Sequence, residues 1–506
     1  MLSGFLLAMA LLVSAPHHPP VAGVDTGVGE AAIPAEKKPA AEAPVITRHS
    51  AVINGKEVGY TAAAGYLPLL TESGEAEARL FYVSYSAGSS PPDKGRPLIL
   101  FLNGGPGAAS VWLHLGAAGP KRVKMLDDGR LPPPPYALVD NEASWLELGD
   151  LLFIDPVGTG YSRAAKPDQA QKYFTQQGDM DSLSRFIRLY LTRSQRWSSP
   201  LFLVGESYGA FRSAGLSEQL VEHGVALTGL LLISSVMNFQ TISFDNGNDL
   251  PYSLILPSYA ATAWYHGKLA PELQADLGTT LAAAEQWAGT EYLTALAKGD
   301  RLSPDERQRV VARLASFTGL EKSFIDNRNL RVDSRLFVRE LLRERRQVVG
   351  TMDSRFLADN LEPSSPHGFD PTIATIRPPY TAVFNAYIRD ELGFSSDLEY
   401  FTLGGGTGRW EYDAHNSYAD TSDNLRNCLA KNPYMRLFVA SGLFDLATPF
   451  PATDYTLNHL GLTPALRKSV TTRQYRAGHM MYLESGARLK LKQDVARFIA
   501  EAVRGR

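Results

Sequence analysis

Three residues of this chain could together carry out acyl transfer: a serine, Ser207, an acid, Asp445, and a histidine, His479. Ser207 lies in Gly205-Glu206-Ser207-Tyr208-Gly209, directly after the apolar run that starts at Leu201. A helical pattern follows, from Tyr208 through Leu216 and Leu220 to His223. Strand, sharp turn and helix are the setting in which Gly-x-Ser-x-Gly forms a nucleophile elbow. Gly205 and Gly209 lack Cβ, so strand and helix can approach closely while the serine sits on a strained turn with its Oγ exposed. The same residues could form a plain glycine-rich turn with a capping serine, so the partners decide.

A serine at an elbow needs a base, and the base needs a group that fixes its tautomer. In this arrangement the chain order is serine, acid, histidine, each at the C-terminal end of a strand. Of ten histidines, His479 alone follows a late strand, in Arg476-Ala477-Gly478-His479-Met480 just ahead of the last helix. His49 and His114 precede Ser207, and His223 is on the elbow's own helix. His17 and His18 lie in a linker, His266, His367 and His415 fall in an insertion between about Asn238 and Lys431, and His459 sits in a helical stretch. The run Met435–Ala440 ends in Ser441-Gly442-Leu443-Phe444-Asp445, which puts Asp445 on a strand-end loop. Asp454 competes for the acid role, but it follows Pro449 and Pro451 on a stretch that reads as a helix leading away. A developing oxyanion needs two N–H donors. The backbone of Tyr208 supplies one, and the loop Asn103-Gly104-Gly105-Pro106-Gly107, after the strand Arg96–Leu102, is placed to supply the other.

The elements that must hold these groups alternate. Strand-like patterns cover Ala51–Tyr60, Glu77–Ala87, Arg96–Leu102, Asp150–Ile154, the Leu201 run, Leu227–Val236, Met435–Ala440 and Val470–Tyr475. Helical patterns cover Met180–Arg193, the elbow helix and a closing helix from about Ser485 to Val503. Short apolar strands between amphipathic helices predict an α/β fold, a mostly parallel sheet with helices on both faces. From about Asn238 to Lys431 the strand rhythm stops, and Tyr259–Tyr265, Pro271–Ala297, Asp305–Phe317, Ser334–Arg345 and Thr381–Leu392 read as helices. This block is expected to be a helical insertion over the sheet rather than an independent domain.

The whole chain has 506 residues and a net charge of -3, which leaves no basic footprint for nucleic acid or an anionic membrane. A single cysteine, Cys428, excludes an intramolecular disulfide. Residues 1–15 read as an export signal: Phe5–Val13 is apolar but too short for stable membrane insertion, and Val13-Ser14-Ala15 offers small residues for cleavage. No Lys or Arg precedes that run, a departure from the usual signal. Residues 16–46 read as a disordered Ala/Pro-rich linker, leaving 47–506 to fold. The expected location is therefore periplasmic or extracellular. No metal-ligand spacing occurs, and no cofactor is implied.

Asn103-Gly104-Gly105-Pro106-Gly107, Pro156-Val157-Gly158-Thr159-Gly160-Tyr161-Ser162, Gly205-Glu206-Ser207-Tyr208-Gly209 and Gly478-His479-Met480, in this order, resemble the serine carboxypeptidase family. The resemblance runs from about Tyr60 to the end, apart from the helical insertion. It implies an α/β-hydrolase fold and release of single residues from peptides with a free C-terminus. It also implies that Ser207, Asp445 and His479 are the triad, that Gly105 and Tyr208 form the oxyanion hole, and that Asn103 and Glu206 bind the substrate's terminal carboxylate. Ala108 and Ala109 stand where the family usually has Cys-Ser, and the segment before Pro156 is one residue shorter than the common form. Two other readings stay open: an acyltransferase or esterase using the same triad, and a non-catalytic exported binding protein. Asn103 and Glu206 favour a peptidase, because both have a clear task only when the substrate carries a free carboxylate.

Overall fold

The computed structural model describes residues 43–88, 93–362 and 369–504. The expected export signal and most of the expected linker lie outside the described residues. Val45 and Ile46, at the linker's expected end, already belong to the first strand.

That strand, β1 (Val45–Ile53), turns through Asn54-Gly55 into β2 (Lys56–Leu70). The expected single strand over Ala51–Tyr60 is therefore a hairpin tip. Asn54 and Gly55 both have positive φ, 50° and 74°. This is the geometry that lets a two-residue turn follow the twist of its strands. The Asn-Gly pair was the available signal for it.

The central sheet continues with β3 (Ala76–Ala87), β4 (Leu98–Leu102), β5 (Asp150–Ile154), β6 (Leu201–Glu206), β7 (Gly229–Ile233), β8 (Arg436–Gly442) and β9 (Val470–Tyr475). Their spatial order is β1-β2-β3-β5-β4-β6-β7-β8-β9, and the short strand Arg163–Ala164 pairs with β3. The first three strands are antiparallel, and β3 meets β5 antiparallel. From β5 to β9 every neighbouring pair is parallel.

Side chains of the parallel strands alternate between two cores. Ile99, Phe101, Phe202 and Val204 point to one, where Val495 and Phe498 of the closing helix (Ser485–Arg504) meet them. Leu98, Leu100, Leu201 and Leu203 point to the other, against Leu183 and Phe186 of α1 (Gln176–Arg193). With both faces covered, the inner strands β4 to β8 read as largely apolar runs, whereas the edge strand β9, with Thr471, Thr472, Arg473 and Gln474, is polar and mostly exposed. Among the described residues no helix is long and apolar enough to cross a membrane.

Between β7 and β8 the chain is mostly helical and has its own core, in which Tyr259 and Phe337 stack with ring centroids 3.8 Å apart. That core takes in Leu443, Phe444 and Leu446 from the loop after β8. The block is therefore packed directly onto the turn that carries Asp445. The expected helix Pro271–Ala297 is broken: Asp276 caps a new helix at Leu277–Trp287, and a wider turn at Ala288–Tyr292 separates it from Leu293–Lys298. The helix expected from Thr381 starts at Pro371 and runs to Asp390. Pro378 and Pro379 lie inside it, and burial of Ile376 and Tyr380 in the sheet's core offsets the lost donors.

Candidate active site

Ser207 stands between β6 and the helix α2 (Tyr208–Glu222), with φ 62° and ψ −128°. A non-glycine residue in that region costs about 1–3 kcal/mol and persists only where the surroundings enforce it. Here glycines enforce it. A Cβ on Gly205 would lie 2.1 Å from the Gly209 carbonyl oxygen, and one on Gly209 would lie 2.3 Å from that of Leu102. Strand, elbow and helix meet mainly through backbone, with the Ser213 hydroxyl also against Gly205. Ser207 is half-buried between the buried Glu206 and Tyr208, and its Oγ has no hydrogen-bond partner among the described residues.

Asp445 and His479 meet beyond the ends of β8 and β9. His479 Nδ1 lies 2.7 Å from Asp445 Oδ2, and both side chains are almost wholly excluded from water. Asp445 Oδ1 accepts from the backbone N–H groups of Ala447 and Thr448, at 2.8 and 2.9 Å. The carboxylate is thus fixed before the imidazole arrives. Burial alone would lower the His479 pKa, but the Asp445 charge and hydrogen bond outweigh it and raise it above the usual 6.5. Asp454 sits on the helix Phe450–Asn458 and takes a hydrogen bond from Gln474 instead.

Two residues that the sequence did not single out tie the serine and histidine turns together. Ser207 N donates to the Ile233 carbonyl at 3.0 Å, and the next residue, Ser234, donates its hydroxyl to the His479 carbonyl at 2.6 Å. Thr448 Oγ1 lies 2.7 Å from Asp445 Oδ2, 2.9 Å from the Ser234 carbonyl and 3.1 Å from His479 Nδ1. Ser234 follows a strand as Asp445 and His479 do, and its position was the only signal available. Thr448 sits three residues after an aspartate, a spacing suited to capping a turn.

The glycine loop lies directly over the elbow. A Cβ on Gly104 would come 2.4 Å from Tyr208 N, so the loop runs against the N-terminus of α2. Gly105, with φ 100°, is exposed, while Asn103 and Gly104 are buried. The helix N-terminus adds its partial positive charge to this corner.

Asn103 Nδ2 donates to Glu206 Oε1 at 3.2 Å, and Asn103 Oδ1 accepts from Leu113 N at 3.0 Å. That second bond fixes which face of the amide points at Glu206. The other oxygen of Glu206 has no partner among the described residues. Tyr482 lies beside both residues without closing a hydrogen bond. Burial pushes the Glu206 carboxyl up to about 7, with His479 and Tyr482 opposing and Asp445 reinforcing the shift. Behind Asn103, Arg212 of α2 donates to the Asn103 carbonyl and pairs with Asp179 of α1, all three being buried.

The sequence model of the serine carboxypeptidase family matches residues 53–491. The pheromone-processing carboxypeptidase of Saccharomyces cerevisiae is 35% identical over 162 residues, which are 29% of this chain and 20% of that protein. Serine carboxypeptidase-like 5 of Arabidopsis thaliana is 34% identical over 155 residues, 28% of this chain and 33% of that protein. The aligned segment thus spans a fifth to a third of these relatives' length. The crystal structure of a prohormone-processing carboxypeptidase from S. cerevisiae superposes with a TM-score of 0.53 at 18% identity, covering 87% of this chain and 91% of that one. The shared architecture is the α/β-hydrolase fold. Because the family match takes in the glycine loop, the elbow, the acid turn and the histidine turn, the chain belongs to the serine carboxypeptidase family.

Proposed function

We propose that the protein is a serine carboxypeptidase that releases C-terminal residues from peptides through an acyl-enzyme on Ser207. The observation that carries this reading is Glu206: a buried carboxyl next to the nucleophile, with one oxygen held by Asn103 and the other unpartnered. A substrate's terminal carboxylate, ionised above about pH 3.5, would be repelled by a charged Glu206. A protonated Glu206 donates to it instead, alongside Asn103 Nδ2.

In this reading Ser207 Oγ attacks the last peptide carbonyl while His479 Nε2 takes the hydroxyl proton. Negative charge gathers on the carbonyl oxygen, facing the N–H groups of Gly105 and Tyr208. His479 then returns the proton to the leaving nitrogen, and the C-terminal residue departs as a free amino acid. Water, deprotonated by His479, attacks the ester on Ser207, and the proton passes from His479 to Ser207 Oγ as the shortened peptide leaves. Asp445 holds the imidazole in the tautomer that leaves Nε2 free to accept, and it stabilises the imidazolium between the two transfers. Activity is greatest where Glu206 keeps its proton and His479 has lost its own, a window bounded on the acid side above the ordinary histidine value and on the alkaline side by Glu206.

Blocked dipeptides with a free C-terminus and with a C-terminal amide test the reading. The free acid should be hydrolysed faster, by about tenfold or more in kcat/KM, the worth of one hydrogen bond to a charged group. Equal rates would favour an esterase or acyltransferase, and no turnover of either would favour a binding protein. Export to the periplasm or the extracellular space is part of the same proposal, and the apolar stretch Phe5–Val13 supports it. Fractionation of cells expressing the full chain, with the mature N-terminus read by mass spectrometry, checks it.

A further inference from the structure

Among the described residues the helical block meets both the acid turn and the histidine turn through the short segment Thr351–Arg355. On one side it brackets the acid: Leu446 N donates to the Thr351 carbonyl at 2.9 Å, and Ser354 N donates to the Phe444 carbonyl at 3.0 Å. On the other it holds the base: His479 N donates to the Met352 carbonyl at 2.7 Å, and Gly478 N donates to Asp353 Oδ2 at 3.2 Å. Direct backbone bonds between the two catalytic turns end with Phe444 N on the Ala477 carbonyl, at 3.0 Å. Beyond that point the segment from the insertion joins them.

Asp353 is itself clamped. Arg355 Nε donates to Asp353 Oδ1 at 2.9 Å and Nη2 donates to Oδ2 at 2.7 Å, while Nη1 donates to the Arg476 carbonyl at 3.0 Å. Two parallel charge-assisted bonds give a planar, stiff pair. The Asp353 side chain is 3% exposed and that of Arg355 15%. There is no slack against the histidine turn: a Cβ on Gly478 would lie 2.4 Å from Asp353 Cβ. The segment is also anchored behind. Ser354 Oγ meets Thr262 Oγ1 at 2.6 Å, and Asp353 N donates to Thr372 Oγ1 at 3.1 Å. It therefore cannot drift without moving helices Leu250–Tyr265 and Pro371–Asp390.

We propose that Asp353, clamped by Arg355, is a positioning residue that sets the stance of His479 between Asp445 and Ser207. It touches no reacting atom. It holds the N–H of Gly478, so the imidazole enters its bond to Asp445 from a fixed direction. This inference rests on the triad reading above and not on the identity of the peptide substrate.

The test uses the full-length protein and two readouts. One is kcat and KM for a blocked dipeptide, normalised to folded protein. The other is the rate at which a fluorophosphonate labels Ser207, which reports the serine–histidine pair without any C-terminal recognition. Asp353→Ala should lower kcat and the labelling rate together, by about tenfold to a hundredfold, the scale of a catalytic group displaced by up to about 1 Å. KM should stay within about twofold. Asp353→Asn, which keeps an acceptor for Gly478 N, should recover most of both losses. If Asp353→Ala does not fold, Arg355→Met carries the test, because that partly exposed side chain clamps Asp353 without contacting the triad; kcat should then fall at least about threefold at unchanged KM. Unchanged kcat and labelling in the folded variants, or a loss confined to KM, would overturn the proposal. Absence of Ser207 labelling in the unaltered protein would instead overturn the triad reading itself.

Discussion

His479 Nδ1 lies 2.7 Å from Asp445 Oδ2, and the aspartate has no exposed surface at all. A buried carboxylate facing an imidazole favours its protonated form, and Glu206, when ionised, and Asp370 add to the same field. His479 must be neutral to accept the Ser207 proton, so activity should fall with acid as pH drops through a value above the ordinary histidine one. In Asp445→Asn that support is lost and the tautomer is wrong. We expect kcat to drop by about 10⁴-fold, the scale seen when a triad acid is made neutral. The residual activity should persist to lower pH than in the parent. Steady-state kinetics across pH on both proteins check this; an acid limb that stays in place would remove Asp445 from its assigned role.

Ser207→Ala and His479→Ala should each abolish nearly all turnover, and the double variant should be little worse than either. Members of a triad act as one unit, so their losses do not add. Fluorophosphonate labelling followed by peptide mapping should mark Ser207 alone. Label retained after Ser207→Ala would reassign the nucleophile.

The glycine loop should be as sensitive as the triad. In Gly104→Ala the new Cβ would sit 2.4 Å from Tyr208 N and 2.7 Å from the Glu206 carbonyl oxygen, both backbone atoms that cannot swing aside. The loop must move off the elbow, taking the oxyanion donor with it. We expect kcat to fall by at least about a hundredfold, as when an oxyanion donor is lost, and stability to fall by about 1–3 kcal/mol from overpacking. Kinetics and chemical denaturation measure the two losses separately, and near-parental kcat would show that the loop tolerates displacement.

The parts of the candidate site that could be read from the sequence are those that sit one turn beyond a strand of the parallel sheet. Ser207, Asp445 and His479 each follow β6, β8 or β9 in this way, and local pattern is enough to place them at those strand ends. Asp454 could be set aside because Pro449 and Pro451 announce the helix that carries it off. What stayed hidden depends on contacts between distant segments. Nothing near Met352 and Asp353 hints that the insertion threads between the acid turn and the histidine turn, since their partners His479 and Gly478 come more than a hundred residues later. The Arg212–Asp179 pair behind Asn103 is hidden for the same reason, although Arg212 is only five residues from the nucleophile. The first strands were misread for a local reason: apolar and β-branched residues on both sides of Asn54-Gly55 masked a turn that those two residues spell out.

The central claim is that Glu206 reads the free C-terminus as a protonated acid. Its carboxyl is pushed up to about 7 by burial, and a bound carboxylate should raise it further. The proton is therefore present below about that pH and lost above it, so KM for peptides should climb on the alkaline side. Esters without a carboxylate need no such proton. The most direct measurement is kcat/KM against pH for a peptide and a carboxylate-free ester, in the parent and in Glu206→Gln. The account predicts that the parent loses peptide activity at lower pH than ester activity, and that Glu206→Gln flattens the alkaline limb for the peptide alone. Superimposable peptide and ester profiles, unchanged by Glu206→Gln, would contradict it.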